Sequence, residues 1–112
     1  MGFLKNMFRA NAANYGDLQG PLPNYGLKSG SVPVTKSGDK LVGYAIGLKD
    51  IEMSKETVNS VEQLSSEQVN NVSGFKGKSV NVTIYKVEFK NGDVGKLRLV
   101  SDVADKLIGL IK

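Results

Sequence analysis

Apolar residues alternate with polar or small ones along much of the chain after residue 31, and this period of two predicts strands. Val80 to Phe89 is the densest such run, built from Val, Ile, Thr, Tyr and Phe. Its apolar phase slips between Ile84 and Tyr85: Val80, Val82 and Ile84 share one face, while Tyr85, Val87 and Phe89 share the other. Either both faces are covered or a bulge sits near Ile84. Lys90-Asn91-Gly92-Asp93 then predicts a hairpin, because both central positions of a type I′ turn need φ > 0 and Asn-Gly supplies them. Val94 to Val100 is the return strand, with Leu97 and Leu99 inward.

Upstream, Lys40 to Leu48 places Val42, Tyr44, Ile46 and Leu48 on one face of a strand and small residues opposite them. Gly43 and Gly47 on that second face leave room for close backbone approach or a bulge. Val32 to Thr35 predicts a short strand at a sheet edge, since Pro33 has no N–H to donate. Residues 50 to 72 carry two patterns. Val58, Val61, Leu64, Val69 and Val72 fit one side of a helix, yet Asn59, Asn70, Asn71 and the β-branched residues are poor helix formers. The preferred reading is a strand at Ile51 to Met53, a turn at 54–56 and a strand at Thr57 to Leu64. The end of the chain has the helical period: Val103, Leu107, Ile108, Leu110 and Ile111 form a stripe, and Ser101 or Asp102 is placed to cap the first turn. Such a stripe must be buried, and the open side of a sheet is where it can go.

Residues 1 to 30 differ from the rest. Phe3, Leu4, Met7 and Phe8 are spaced for a one- or two-turn amphipathic helix, followed by Asn, Ala, Gly, Pro21 and Pro23. Asn14-Tyr15-Gly16 is echoed by Asn24-Tyr25-Gly26 and predicts turns, with Tyr15 and Tyr25, like Phe3 and Phe8, as aromatic anchors of an arm. The expected organisation is therefore an arm over 1–30 and one β domain over 31–112. In fold class this is a mainly β chain, a bent antiparallel sheet or barrel closed by a C-terminal helix.

Length supports one hydrophobic core in 112 residues, and 13 glycines favour turns and strand ends. Composition narrows the chemistry further. The chain has no cysteine and no histidine. That removes disulfides, thiolate metal sites, the thiol nucleophile, the commonest general base and every serine–histidine pair. A reducing, cytoplasmic setting and a non-enzymatic role without cofactors are expected. Met1 to Arg9 is too short and too interrupted for a signal peptide, and no apolar run reaches the length of a membrane span. Asn6 also breaks the myristoylation pattern after Gly2.

Charge changes the picture more than composition does. The net charge is +4, and it is laid down in blocks. Residues 50 to 67 carry five carboxylates against Lys55, whereas residues 76 to 98 carry six basic residues against Glu88 and Asp93. On the last hairpin, Lys86, Lys90, Lys96 and Arg98 are the candidate basic surface for a phosphate or acidic partner. No aromatic residue alternates with them as single-strand nucleic-acid binders require, so a solvated outer face is the plainer reading and nucleic acid the minor one. Glu52, Glu56, Glu62 and Glu67 lack the spacing and central glycine of a calcium loop. Gly74-Phe75-Lys76-Gly77-Lys78-Ser79 has its glycines too close for a phosphate loop.

Ile51-Glu52-Met53-Ser54-Lys55-Glu56-Thr57-Val58, Ser60-Val61-Glu62 and Tyr85-Lys86-Val87-Glu88-Phe89-Lys90-Asn91-Gly92-Asp93 precede the closing amphipathic helix, and the chain opens on Met1-Gly2-Phe3-Leu4. On these residues the segment from Asp50 to Lys112 resembles the bacterial pleckstrin-homology-like (PH-like) domains of small cytoplasmic proteins from Gram-positive bacteria and their phages. The resemblance implies a bent sheet or barrel with one end plugged by the C-terminal helix, and a strand at 57–64. It supplies no catalytic residue. Many such domains carry a glycine-rich apolar insertion before the last hairpin; here only Ser73 to Ser79 stands there, which argues against a membrane-associated role. The expected function is protein–protein interaction, with a protein partner or a second copy bound through a sheet edge or the arm, and anion or nucleic-acid binding as the alternative.

Overall fold

In the computed structural model, residues 15–70 and 79–112 are described. They form seven strands and one helix: β1 (Gly16–Gln19), β2 (Ser31–Ser37), β3 (Lys40–Gly43), β4 (Ile51–Met53), β5 (Val58–Val69), β6 (Val80–Phe89), β7 (Val94–Val100) and α1 (Ser101–Ile111). The strands make one antiparallel sheet in the order β4-β3-β2-β1-β7-β6-β5, curled into a half-barrel with the helix on its concave side. The mainly β architecture closed by a C-terminal helix is thus as the residue pattern predicts.

The concave face holds the main core. Leu18, Val34, Leu41, Ile51, Met53, Val87, Phe89, Leu97 and Leu99 are sealed there, and α1 adds Ala104, Leu107, Ile108 and Ile111. The helix packs on β3, β6 and β7. Its side-chain cap is missing: Val100 is the cap residue, and Ser101 is the first helical residue, within 3.0 Å of the Thr83 hydroxyl. Thr83 thereby ties β6 to the helix start, which is a different use of Ser101 from the predicted cap.

The phase slip in β6 is explained by both of the readings offered for it. Tyr85, Val87 and Phe89 face the main core, while Val82 and Ile84 are buried in a separate cluster with Val69 and Val80 beside them. The bulge lies on the partner strand. Gln63 pairs with Tyr85 and Ser65 with Ile84, so Leu64 is the extra residue. A second irregularity between Val58 and Ser60 leaves Asn59 over, and its amide donates to Glu88. Residues 58 to 69 are strand throughout, as preferred over the helix, and the strand continues five residues past Leu64.

Several expectations are corrected. β3 stops at Gly43; the chain turns at Ala45 to Leu48, and Ile46 is 79 % exposed, so the alternation to Leu48 is not a strand. A period of two in a glycine-rich run carries no information about where the ladder ends. β2 lies between β1 and β3 instead of at an edge. Pro33 is tolerated there because its carbonyl accepts from Tyr44 N–H, one residue past the end of β3. A strand residue's N–H and C=O point to the same side, so the missing donor faces that ladder end and costs no bond to β1. The last hairpin is not type I′ either: Gly92 has φ +97°, but no non-glycine residue has positive φ. Gly92 N–H donates to Phe89 O and Phe89 N–H to Asp93 O, the three-residue loop in which a turn is followed by a left-handed glycine.

The largest correction concerns the arm. β1 lies inside the segment assigned to it and sits at the middle of the sheet, between β2 and β7. Leu18 and Leu22 are fully buried and Leu27 nearly so. The described part of residues 1–30 is therefore integral to the core. Gly16 shows how closely it is built in: a Cβ there would stand 1.8 Å from Arg98 O. A four-residue strand with a single apolar side chain, set among Gly, Asn and Pro, has no period to detect.

Candidate functional site

The convex face of β7 carries its charged residues two apart, Lys96 and Arg98, and their cross-strand partners decide what each does. Arg98 stands between Ile84 of β6 and Asp17 of β1, and Lys96 between Lys86 and Gln19. Arg98 is 8 % exposed and Asp17 fully buried. The guanidinium donates from Nε to Asp17 Oδ1 at 2.7 Å and from Nη2 to Oδ2 at 2.5 Å. These bonds raise the Arg98 pKa above its ordinary high value, against the opposing effect of burial. Arg98 is thus a structural cation, and the predicted basic surface loses it. Asp17 lies within the segment read as an arm, and only the fold could show that it is the buried counter-ion.

Lys90 is not beside the others. It lies in the hairpin loop, and its ammonium donates to Lys55 O at 3.1 Å. Lys86 and Lys96 alone are brought together, as direct cross-strand partners with both side chains exposed. Neither makes an ion pair among the described residues, although Glu62 of β5 stands opposite Lys86. Glu88, the acid of β6, accepts from the Asn59 side-chain amide.

Tyr15 and Tyr25 pack against the main core, half-buried. Tyr25 ends a single 3-10 turn, Pro23–Tyr25, and meets Phe89 edge to face with ring centroids 5.3 Å apart. Burial and the nearby carboxylates of Asp93 and Glu52 raise its pKa. Burial, with Asp105 nearby, does the same to Tyr85. Beside Tyr25, Asp93 holds the turn to the last hairpin: its carboxylate accepts from Asn24 N–H at 3.0 Å and from the Asn24 side-chain amide at 2.8 Å. No local pattern marks this clamp, because 69 residues separate its members. The anchors predicted at Phe3 and Phe8, and the loop from Gly74 to Lys78, lie outside the described residues.

The acidic stretch is dispersed. Glu52 pairs with Lys40 at 2.9 Å on the β3–β4 edge. Glu56 lies in the β4–β5 turn, where the Ser54 hydroxyl and its own backbone amide lower its pKa. Glu62 and Glu67 are exposed on β5. Among the described residues no three acidic groups converge in a way that could hold a metal ion.

The two sheet edges differ. β4 offers three residues, whereas β5 offers twelve and is exposed along most of its length. Nothing among the described residues pairs with its outer side. Among the described residues no helix is long and apolar enough to cross a membrane. No family model, no curated protein and no solved structure matches the chain.

Proposed function

We propose that this chain is a non-enzymatic protein-interaction module of the PH-like type, acting in the cytoplasm, and that it binds a protein partner by accepting a strand at the β5 edge. The observation that carries the reading is β5 itself: twelve residues at the outside of the sheet, with backbone donors and acceptors facing outward. Such an edge templates pairing with another chain, main-chain bonds giving affinity and side chains giving selection. Its two register shifts and its carboxylates, Glu62 and Glu67, with no cation on the strand, work against pairing with a second β5. They favour an added strand that carries basic residues.

The order of elements supports the PH-like assignment: a four-stranded meander, a three-stranded one, then a helix across the open side. A non-catalytic role is supported by the sequence, which holds no histidine or cysteine. It is supported too by the two buried carboxylates, since Asp17 is neutralised by Arg98 and Asp93 is engaged by Asn24.

A photo-crosslinking side chain placed at Ser66 of β5, and separately at Asp39 in the β2–β3 turn, tests the edge in lysate of the source cell, with and without nuclease. The expected result is a protein adduct from Ser66 that survives nuclease and is absent from Asp39. Equal labelling at both sites, or adducts lost on nuclease treatment, overturns the reading. Light scattering on the purified chain separates an outside partner from a second copy.

A further inference from the structure

The exposed lysine pair on the convex face raises a question that the fold leaves open. Two like charges directly opposite on neighbouring strands destabilise a sheet, their Cβ atoms being about 5 Å apart. Two residues along the same strands, Arg98 has its carboxylate; Lys86 and Lys96 have none engaged.

Beside them the surface is apolar. Three large apolar side chains are exposed among the described residues, Ile46, Leu64 and Val94. Two of these, Leu64 and Val94, line a single cavity of about 370 Å³ together with Lys86, Lys96 and Gln19. Leu64 is there because it is the bulged residue of β5, and Val94 because it begins β7 on the convex side. The bulge therefore re-aims an apolar side chain, as bulges beside binding sites do.

We infer that this cavity is a binding site for an acidic, partly apolar segment of a partner protein, a carboxylate between Lys86 and Lys96 with a neighbouring aliphatic side chain against Leu64 and Val94. The charge complement requires an anion, and the apolar wall requires that the anion carry hydrocarbon beside it. A nucleic acid fits less well, since the one arginine of the predicted surface is committed to Asp17 and no aromatic ring lines the cavity to stack a base. The site uses side chains on the convex face and stands whether or not β5 accepts a strand.

The test is a titration of the isotope-labelled chain with the acetylated, amidated peptide Glu-Leu-Glu-Leu, followed by amide shifts, beside Gln-Leu-Gln-Leu and a short oligothymidylate. The expected shifts map to residues 64, 86 and 94 to 96. Replacing both lysines (K86Q with K96Q) weakens binding by about tenfold or more, as loss of two charge-assisted contacts requires. Leu64→Ser weakens it severalfold at unchanged fold, read from the undisturbed amides of β1 to β3. No shift at millimolar peptide, equal binding of the glutamine peptide, or stronger binding of the oligonucleotide at the same amides each overturns the assignment. Crosslinking at Ser66 reads the edge independently, so failure of one does not imply failure of the other.

Discussion

Two charged rows cross the convex face of the sheet side by side, and they obey opposite rules. In the Asp17–Arg98 row an acid and a base meet out of water, and their forked hydrogen bonds offset the cost of burying them. In the Lys86–Lys96 row two bases meet in water, where solvent screens what the protein does not neutralise. The first row is part of the fold's interior although it carries full charges. The second is surface, free to act on something else. Charge in a sequence thus states neither burial nor availability; the partner across the strand decides both.

Breaking the buried row gives the largest effect. Asp17→Ala leaves Arg98 buried without its carboxylate and should cost about 3–5 kcal/mol, measured by chemical unfolding. Exchanging both members for apolar residues, Asp17→Leu with Arg98→Met, should recover most of that loss, because no charge is then stranded. A single substitution costing under about 1 kcal/mol would show the row to be solvated after all.

The concave face supplies the apolar counterpart of the same burial. Leu107→Ala or Ile111→Ala removes a side chain sealed between the helix and the sheet, and each should cost about 2–4 kcal/mol in the same melt. Variants that match the parent within a few tenths would show that α1 is not docked.

How far the residues foretold this arrangement depends on whether a signal was local. β6 and β7 were legible because two dense apolar and β-branched runs flank the Asn-Gly turn, α1 because its helical stripe is sustained, and β4 and the start of β5 because turn residues bracket them. β1 was not, for its place in the sheet rests on Leu18 alone and on contacts with β2 and β7 far along the chain. The ends of β3 and β5 were missed for a related reason: a strand stops or continues according to what its neighbour offers, which alternation does not record. At the candidate site Lys86 and Lys96 were found, while Leu64 and Val94 were not. A bulge turns Leu64 outward, and no local pattern distinguishes it from a core leucine.

A second buried acid extends the comparison to the join between the early and late parts of the chain. Asp93 is 6 % exposed and accepts two bonds from Asn24. Asp93→Ala should cost about 1–3 kcal/mol by removing the charged acceptor of two hydrogen bonds from Asn24. It should also loosen the 3-10 turn, seen as faster amide exchange at Asn24 and Tyr25, while the exchange of β2 and β3 stays unchanged. The effect falls below that of Asp17 because Asn24 is exposed and water can replace the lost acceptor.

The exposed row gives the smallest effect, and the sign is what matters. Lys96→Gln removes one of two like charges in register, so it should leave stability unchanged or raise it by about 0.2–0.5 kcal/mol at low salt. The gain should vanish as salt rises and the Debye length shrinks below the spacing of the two ammonium groups. The parent itself should then become slightly more stable with salt, and the variant less responsive. A loss of more than about 1 kcal/mol would mean that Lys96 has a structural partner, since surface changes away from such features stay within about half of that. The two rows would then differ in degree alone, and the lysine pair would no longer be free to receive an acidic ligand.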